Sequence, residues 1–326
     1  MNKPIQSWRE TDYLRVLDDD VLSFIKDVET YFPHTRDEET IAERRARYDA
    51  MAKGMCGPPQ KDVILRELDG PVPLRAYLPK NPSTETEILY MHGRGFIVGG
   101  FDTHGDICAD IAAGTEFCVT AVDYRLAPEH IYPACRDDCC DALRFLARQS
   151  DRSFILMGDS AGGYLAAATT IEIRDNAEDE VLSRILGIIG IYPTYGGDRS
   201  ASSYQLHANA PMLTTAGMAF YDKLLFNSDS RAARAAAPLM ADDLSRMPPS
   251  MSFSAQCDPL ADDGPLFAKR LEESGCKASC IIDMGLVHAH LRARHSTSRA
   301  SESFTRVLAA CKSLGRGEWP PQLHEF

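Results

Sequence analysis

Short, mostly apolar segments alternate with amphipathic ones through the central part of the chain. The apolar segments cover 87–91, 117–124, 154–158, 185–192, 250–256 and 278–284. Such runs are typical of parallel strands buried on both faces of a sheet. Segments with helical periodicity lie between them, at 134–149, 163–175 and 265–274. The alternation of the two kinds of segment predicts an α/β sandwich.

The N-terminal part follows different patterns. Residues from about 10 to 54 have helical periodicity but many charges and few apolar positions, which predicts peripheral helices. Two alternating segments, 61–68 and 72–79, are separated by Asp-Gly-Pro and predict a β-hairpin at the edge of the sheet.

Residues of about 195–235 interrupt the rhythm of strands and helices. We expect this segment, which contains a helical pattern at 213–227, to lie beside the N-terminal helices. Together with 1–54 it would form a cap over the carboxyl ends of the strands. The whole chain, 1–326, is then one domain.

Composition and charge exclude several classes of partner. The net charge of -12 and the pI near 5.2 disfavour nucleic acids and anionic membranes. The longest apolar run, 185–192, is too short to cross a bilayer, and the first ten residues do not resemble a signal peptide, so we expect a cytoplasmic protein. The ten cysteines show no C-x-x-C spacing and are expected to be reduced thiols. No metal and no cofactor are expected.

The strongest chemical signal is the hexapeptide GDSAGG at 158–163, which follows an apolar strand and opens a helical segment. This is the strand-turn-helix context of a nucleophile elbow, in which two glycines allow a serine to occupy a tight, strained turn. Ser160 is therefore the candidate nucleophile. The amide of Ala161 and the positive end of the helix would face an oxyanion formed at Ser160.

A serine nucleophile needs a base and a group that orients the base. Asp258 follows the strand at 250–256, and His288 lies in a loop after the strand at 278–284, so acid and histidine come in the chain order that this fold uses. The loop after the strand at 87–91 reaches the same end of the sheet. Its glycine-flanked backbone could supply the remaining oxyanion donors.

Neighbouring residues compete for these roles. Asp262 and Asp263 fall in the predicted first turn of the next helix, where acids are common as caps, and His290 would point away from its neighbour two residues earlier. Asp159 is expected to be a structural hydrogen-bonding group. His207 lies among polar residues and is expected to be solvated.

Five motifs occur in order along the chain: HGRGF at 92–96, DYRLAPE at 123–129, GDSAGG at 158–163, DPLADDG at 258–264 and GLVHAH at 285–290. Together they resemble the bacterial hormone-sensitive-lipase-like (family IV) carboxylesterases, and among these the acetyl esterases. The resemblance implies an α/β-hydrolase fold with a mostly parallel sheet of eight strands between helices, a helical cap and a Ser-Asp-His triad.

The same resemblance implies a role for individual residues. The triad would be Ser160, Asp258 and His288, the oxyanion donors would be the amides of Arg94, Gly95 and Ala161, and His92 with Gly93 would support the loop.

Arg94 departs from the family motif, because HGRG stands where HGGG is usual. An amide donates whatever its side chain is, so Arg94 harms the hole only if the position requires positive φ, which costs a non-glycine residue about 1 kcal/mol. We expect its side chain to form an ion pair with Asp102 or Asp106. The alternative is that it projects to the pocket rim and favours negatively charged substrates.

The sequence therefore predicts a serine hydrolase acting on small-molecule, short-chain esters of the acetyl type, as a monomer or homodimer. The alternatives are an amidase or peptidase-like hydrolase with the same triad, and a ligand receptor of the same fold without catalysis.

Overall fold

A computed structural model describes residues 7–31, 39–83, 85–200 and 202–320. Eight strands form one sheet in the order β1-β2-β4-β3-β5-β6-β7-β8. The strands are β1 (Val63–Leu68), β2 (Leu74–Pro79), β3 (Thr86–Met91), β4 (Cys118–Val122), β5 (Ser153–Asp159), β6 (Ile185–Ile191), β7 (Ser250–Cys257) and β8 (Ala278–Val287). β2 is antiparallel to both of its neighbours, whereas the six strands from β4 to β8 in the sheet pair in parallel.

The helices precede the sheet or connect its strands. They are α1 (Glu10–Tyr13), α2 (Asp19–Tyr31), α3 (Ile41–Gly54), α4 (Phe101–Thr115), α5 (Ala134–Gln149), α6 (Ala161–Asp175), α7 (Asp179–Leu182), α8 (Ser202–Leu206), α9 (Thr215–Leu225), α10 (Ser230–Ala236), α11 (Asp263–Glu273) and α12 (Ser298–Leu314). Short 3₁₀ helices occupy Pro238–Met240 and His290–Ala293.

Two layers of helices enclose the sheet. One layer contains α4 packed on α12, and the other contains α5, α6 and α11. Every residue of β3 and β4 is buried because both faces of these strands are covered, whereas most of β1, at the edge, is exposed. The predicted edge hairpin and α/β-hydrolase fold with its mostly parallel eight-stranded sheet are therefore confirmed.

The N-terminal segment contacts the segment that follows β6. The amide of Trp8 donates to the carbonyl of Leu206 at 2.7 Å, and the Tyr13 hydroxyl lies 3.1 Å from Nδ1 of His207. The expectation that His207 is solvated was wrong, since it is only 4% exposed. Residues 1–6, 32–38 and 201, which the predicted cap includes, lie outside the described residues.

All ten cysteines fall within the described ranges and are free thiols, as predicted. None of the helices in the described part of the chain is both long enough and apolar enough to cross a membrane.

A buried carboxyl group joins the start of α11 to the segment after β6. Oδ2 of Asp263 accepts the amide of Tyr195 at 2.7 Å and that of Gly197 at 3.3 Å, and Oδ1 accepts the hydroxyl of Tyr204 at 3.0 Å. Burial raises the pKa of Asp263 from 3.8 to about 6, although these hydrogen bonds oppose the rise. The folded protein therefore holds a proton on Asp263 more tightly than the unfolded chain does.

This shift gives stability a specific pH dependence. Between about pH 4 and 6 the unfolded carboxyl ionises first, so Asp263 should lower the free energy of unfolding as pH rises, by on the order of 3 kcal/mol in all. The component disappears in Asp263→Asn. Both proteins should therefore be denatured in urea at several pH values. The free energy of unfolding of the variant, relative to that of the wild-type protein, should increase as pH rises from about 4 to 6. A difference that does not change with pH would contradict the raised pKa.

Candidate active site

Ser160 occupies a strained turn between β5 and α6. Its φ is +52° and its ψ is -115°, a conformation that residues with a side chain rarely adopt. The turn is tight enough that a Cβ added to Gly162 would collide with the carbonyl oxygen of Met91. The predicted elbow is present, with Ser160 at the N-terminus of α6.

Sheet register places the candidate acid and base side by side. Cys257 at the end of β7 pairs with Val287 at the end of β8, so Asp258 and His288 are the next residues on neighbouring strands. Nδ1 of His288 lies 2.7 Å from Oδ2 of Asp258, and Nε2 lies 2.9 Å from Oγ of Ser160. In the tautomer that places the proton on Nδ1, toward the carboxylate, Nε2 is a bare nitrogen that can accept a hydrogen bond from Oγ of Ser160.

An irregularity in β8 contributes to this placement. Ala255 pairs with Asp283 and Cys257 with Val287, so two steps along β7 correspond to four steps along β8. Gly285 has a φ of +68° within the extra loop of backbone, and its amide donates to Oε1 of Gln256 at 2.8 Å. Such a bulge redirects the end of a strand, here the segment that carries His288.

The competing residues lie elsewhere. His290 sits between the hydroxyl of Ser303 and the carbonyl of Val287, each 3.1 Å from one of its ring nitrogens. Asp262 is the N-cap residue of α11, and its carboxylate accepts the amide of Ser203 at 2.9 Å. The structure thus brings together the acid and the histidine that the sequence favoured.

The loop after β3 runs beside the elbow because Met91 pairs with Gly158. Arg94 and Gly95 have φ values of +82° and +65°. Within the described ranges, the amides of Arg94, Gly95 and Ala161 have no hydrogen-bond acceptor, and these three residues line one cavity with Ser160. The amides are therefore available to an oxyanion formed at the serine.

A buried carboxylate ties this loop to the elbow. Oδ1 of Asp159 accepts the hydroxyl of Tyr90 at 2.7 Å and the amide of Gly93 at 3.0 Å, and Nε2 of His104 lies 3.8 Å away. Burial opposes ionisation of Asp159, but His104 and the Tyr90 hydroxyl outweigh it and hold the pKa of the carboxyl well below its usual range. Asp159 is thus a structural hydrogen-bonding group, as expected.

His92 shapes the start of the loop. Its Nδ1 lies 3.0 Å from the carbonyl oxygen of Gly93, and its ring stacks on Tyr124 with centroids 4.3 Å apart. The Tyr124 hydroxyl donates to the His92 carbonyl at 2.8 Å. Burial lowers the pKa of His92 to about 3, so the ring is neutral near pH 7 and Nδ1–H can donate to Gly93.

The cavity at Ser160 is small, about 60 Å³, and opens beside a groove of about 700 Å³. Four residues line both spaces: Phe96, Thr194, Met218 and Asp222. Met218, Tyr221 and Asp222 come from α9. The sequence pattern predicted a helix here but did not identify these wall residues.

The expected ion pair of Arg94 is wrong. Asp102 lies 3.3 Å from the guanidinium of Arg75, and Asp106 lies 3.1 Å from that of Arg292. Both acids therefore have other arginines as partners, whereas Arg94 is one of the residues that line the cavity at Ser160 and its guanidinium lies over the ring of Tyr48.

Comparisons with known proteins agree with this geometry. A family model of the α/β-hydrolase fold matches residues 88–292. Carboxylesterase NlhH of Mycobacterium tuberculosis is 34% identical over 74% of this chain and 78% of its own length. Ethyl acetate hydrolase of Pseudomonas putida is 28% identical over 85% of this chain and 90% of its own. The solved structure of a hyperthermophilic esterase from Pyrobaculum calidifontis superposes with a TM-score of 0.82 at 29% identity, over 92% of this chain and 99% of that one.

The role of the buried carboxylate can be tested by stability. Asp159→Ala leaves the hydroxyl of Tyr90 and the amide of Gly93 without their acceptor, which should lower the free energy of unfolding by about 3 kcal/mol in urea denaturation. Asp159→Asn, which keeps one acceptor oxygen, should cost less. Tyr192→Phe is the control, since it removes only a 3.4 Å contact to the same carboxylate. Equal losses in Asp159→Ala and Tyr192→Phe would argue against a central role for Asp159.

Proposed function

As a member of the α/β-hydrolase fold family, with the motifs of its hormone-sensitive-lipase-like group, the chain is a serine carboxylesterase, and we propose that Ser160, Asp258 and His288 carry out its catalysis. The observation that supports this assignment most directly is the continuous chain of contacts from Oγ of Ser160 through His288 to Asp258. The carboxylate accepts a second hydrogen bond, from the amide of Leu260 at 3.0 Å, which fixes its orientation.

The reaction runs in two halves. Oγ of Ser160 attacks the ester carbonyl while its proton moves to Nε2 of His288, and the imidazolium then protonates the departing alcohol. The resulting acyl-enzyme is attacked by water, which His288 deprotonates in turn, and the carboxylic acid leaves with Ser160 restored. Asp258 holds the imidazole in the required tautomer and stabilises its charged form.

The oxyanion of both tetrahedral intermediates is proposed to bind the amides of Arg94, Gly95 and Ala161. His92 and Gly93 support the loop that presents the first two amides. Preorganised donors of this kind are worth roughly 10²- to 10³-fold in turnover each. Arg94 has a positive φ, which costs a residue with a side chain about 1 kcal/mol. We propose that this conformation persists because it directs the Arg94 amide toward the oxyanion.

The substrates are short-chain esters, and an acetyl-type acyl group suits the small cavity beside Ser160. We propose that the whole chain is one domain and that residues 1–54 and about 195–235 form the cap. This proposal is supported by the contacts of Trp8 and Tyr13 with the segment after β6 and by the residues of α9 in the cavity wall. A cytoplasmic location and a monomeric or homodimeric state remain predictions.

Replacement of the nucleophile tests the mechanism. Ser160→Ala should lower kcat for 4-nitrophenyl acetate by at least about 10³-fold, because the acyl-enzyme can no longer form. A 4-nitrophenyl phosphonate ester should phosphonylate Oγ of Ser160 with release of 4-nitrophenolate. Intact-protein mass spectrometry should then show the added phosphonyl group on the wild-type protein and no modification of the variant. Ser254→Ala, a buried serine on β7, is the control and should keep both properties. Full activity in Ser160→Ala would refute the assignment.

The two histidines give a second, internally matched test. His288→Gln should lower kcat by at least about 10³-fold, because no base remains near Oγ of Ser160. His290→Gln should retain activity within about tenfold, since His290 contacts Ser303 and not the serine nucleophile. Circular dichroism would show that both variants are folded. Loss of activity in His290→Gln with retention in His288→Gln would reverse the assignment of the base.

A further inference from the structure

Arg94 has two parts with separate consequences. Its amide belongs to the loop that follows β3, and Arg94 is one of the residues that line the cavity holding Ser160 and His288. We propose that the guanidinium selects esters that carry a carboxylate group near the scissile bond. This inference rests on the proposed function and specifies its substrate class.

The charge balance of the cavity supports this selection. Within the described ranges, no carboxylate lies within 4 Å of the Arg94 guanidinium. Asp222, a carboxylate that lines the cavity, is already paired with Arg199. The Asp258 carboxylate is bound to His288. Within the described residues, the Arg94 guanidinium is therefore a cation that has no carboxylate partner from the protein.

The guanidinium is held in place without being neutralised. Its central carbon lies 4.8 Å from the ring centroid of Tyr48, a residue of α3 that is only 1% exposed. A cation–π contact orients the planar group and leaves its charge intact. The nearby arginines differ, because Arg292 and Arg294 both contact Asp106. Arg94 therefore has the features of a ligand-binding arginine.

A carboxylate matches this group in shape as well as charge. The planar fork of arginine can donate two parallel hydrogen bonds to a carboxylate, and such charge-assisted bonds are the strong class. The carboxylate can belong to the acyl part, as in the half-ester of a dicarboxylic acid, or to the alcohol part, as in the acetyl ester of a hydroxy acid. In both cases the chemical step remains the ester hydrolysis described above.

The test compares charged and neutral members of two ester pairs. The first pair is the 4-nitrophenyl half-ester of adipic acid and its methyl ester, in which the charge lies on the acyl side. The second pair is 4-acetoxybenzoate and its methyl ester, in which the charge lies on the alcohol side. The measured quantity is the ratio of kcat/KM for the charged ester to that for the neutral ester.

Wild-type protein should prefer the charged member of at least one pair by about tenfold, and Arg94→Gln should abolish that preference. Arg94→Lys should retain part of it. The control is Arg75→Gln, which removes the same charge from β2, where Arg75 is paired with Glu67 and Asp102, and which should leave the ratio unchanged. The pair that responds identifies the side of the substrate that carries the charge.

Two results would overturn the inference. One is a wild-type protein that shows no preference for the charged member of either pair, which can be measured without any variant. The other is an Arg94→Gln protein in which both members of each pair slow by the same factor, since Arg94 would then only brace the loop against Tyr48. If wild-type protein hydrolysed none of the four esters, the proposed function itself would fail.

Discussion

The structure of the site depends on one buried carboxylate. Asp159 ends β5 immediately before the nucleophile, and it accepts the amide of Gly93 from the loop that follows β3. The two halves of the site, the serine turn and the oxyanion loop, come from strands that pair in parallel, but pairing alone stops at Met91 and Gly158. In the described part of the chain, no strand pairing joins the loop to the serine turn beyond that point. The Asp159 carboxylate instead accepts a hydrogen bond from the loop, and burial makes this bond strong.

The fold and the placement of Ser160, Asp258 and His288 could be predicted because both depend on local patterns. Parallel strands covered on two faces leave apolar runs that are visible in the sequence, and Ser160, Asp258 and His288 each follow such a run within a few residues. Helix α12 (Ser298–Leu314) was not predicted, although Val307, Cys311 and Leu314 lie on its buried face at helical spacing. Helix α4 (Phe101–Thr115) gave a weaker signal, because it is buried around much of its circumference.

The errors concerned side chains whose partners are far away in the chain. His207 is buried against Tyr13, and Asp106 forms an ion pair with Arg292, which is separated from it by 186 positions. A sequence shows which charges exist but not which of two arginines reaches a given acid. The bulge in β8 was equally invisible, because it is a difference in register between two strands and not a property of either strand alone.

The chain order of the triad has a consequence for biosynthesis. Ser160 lies near the middle of the chain, whereas the base comes from β8, the last strand of the sheet. A nascent chain that has folded through β6 already contains the turn at Ser160, yet it lacks Asp258 and His288, the proposed acid and base. Under the proposed mechanism, hydrolytic activity therefore arises only when β7 and β8 have joined the sheet, so that an activity assay would detect completed molecules and not partly synthesised ones.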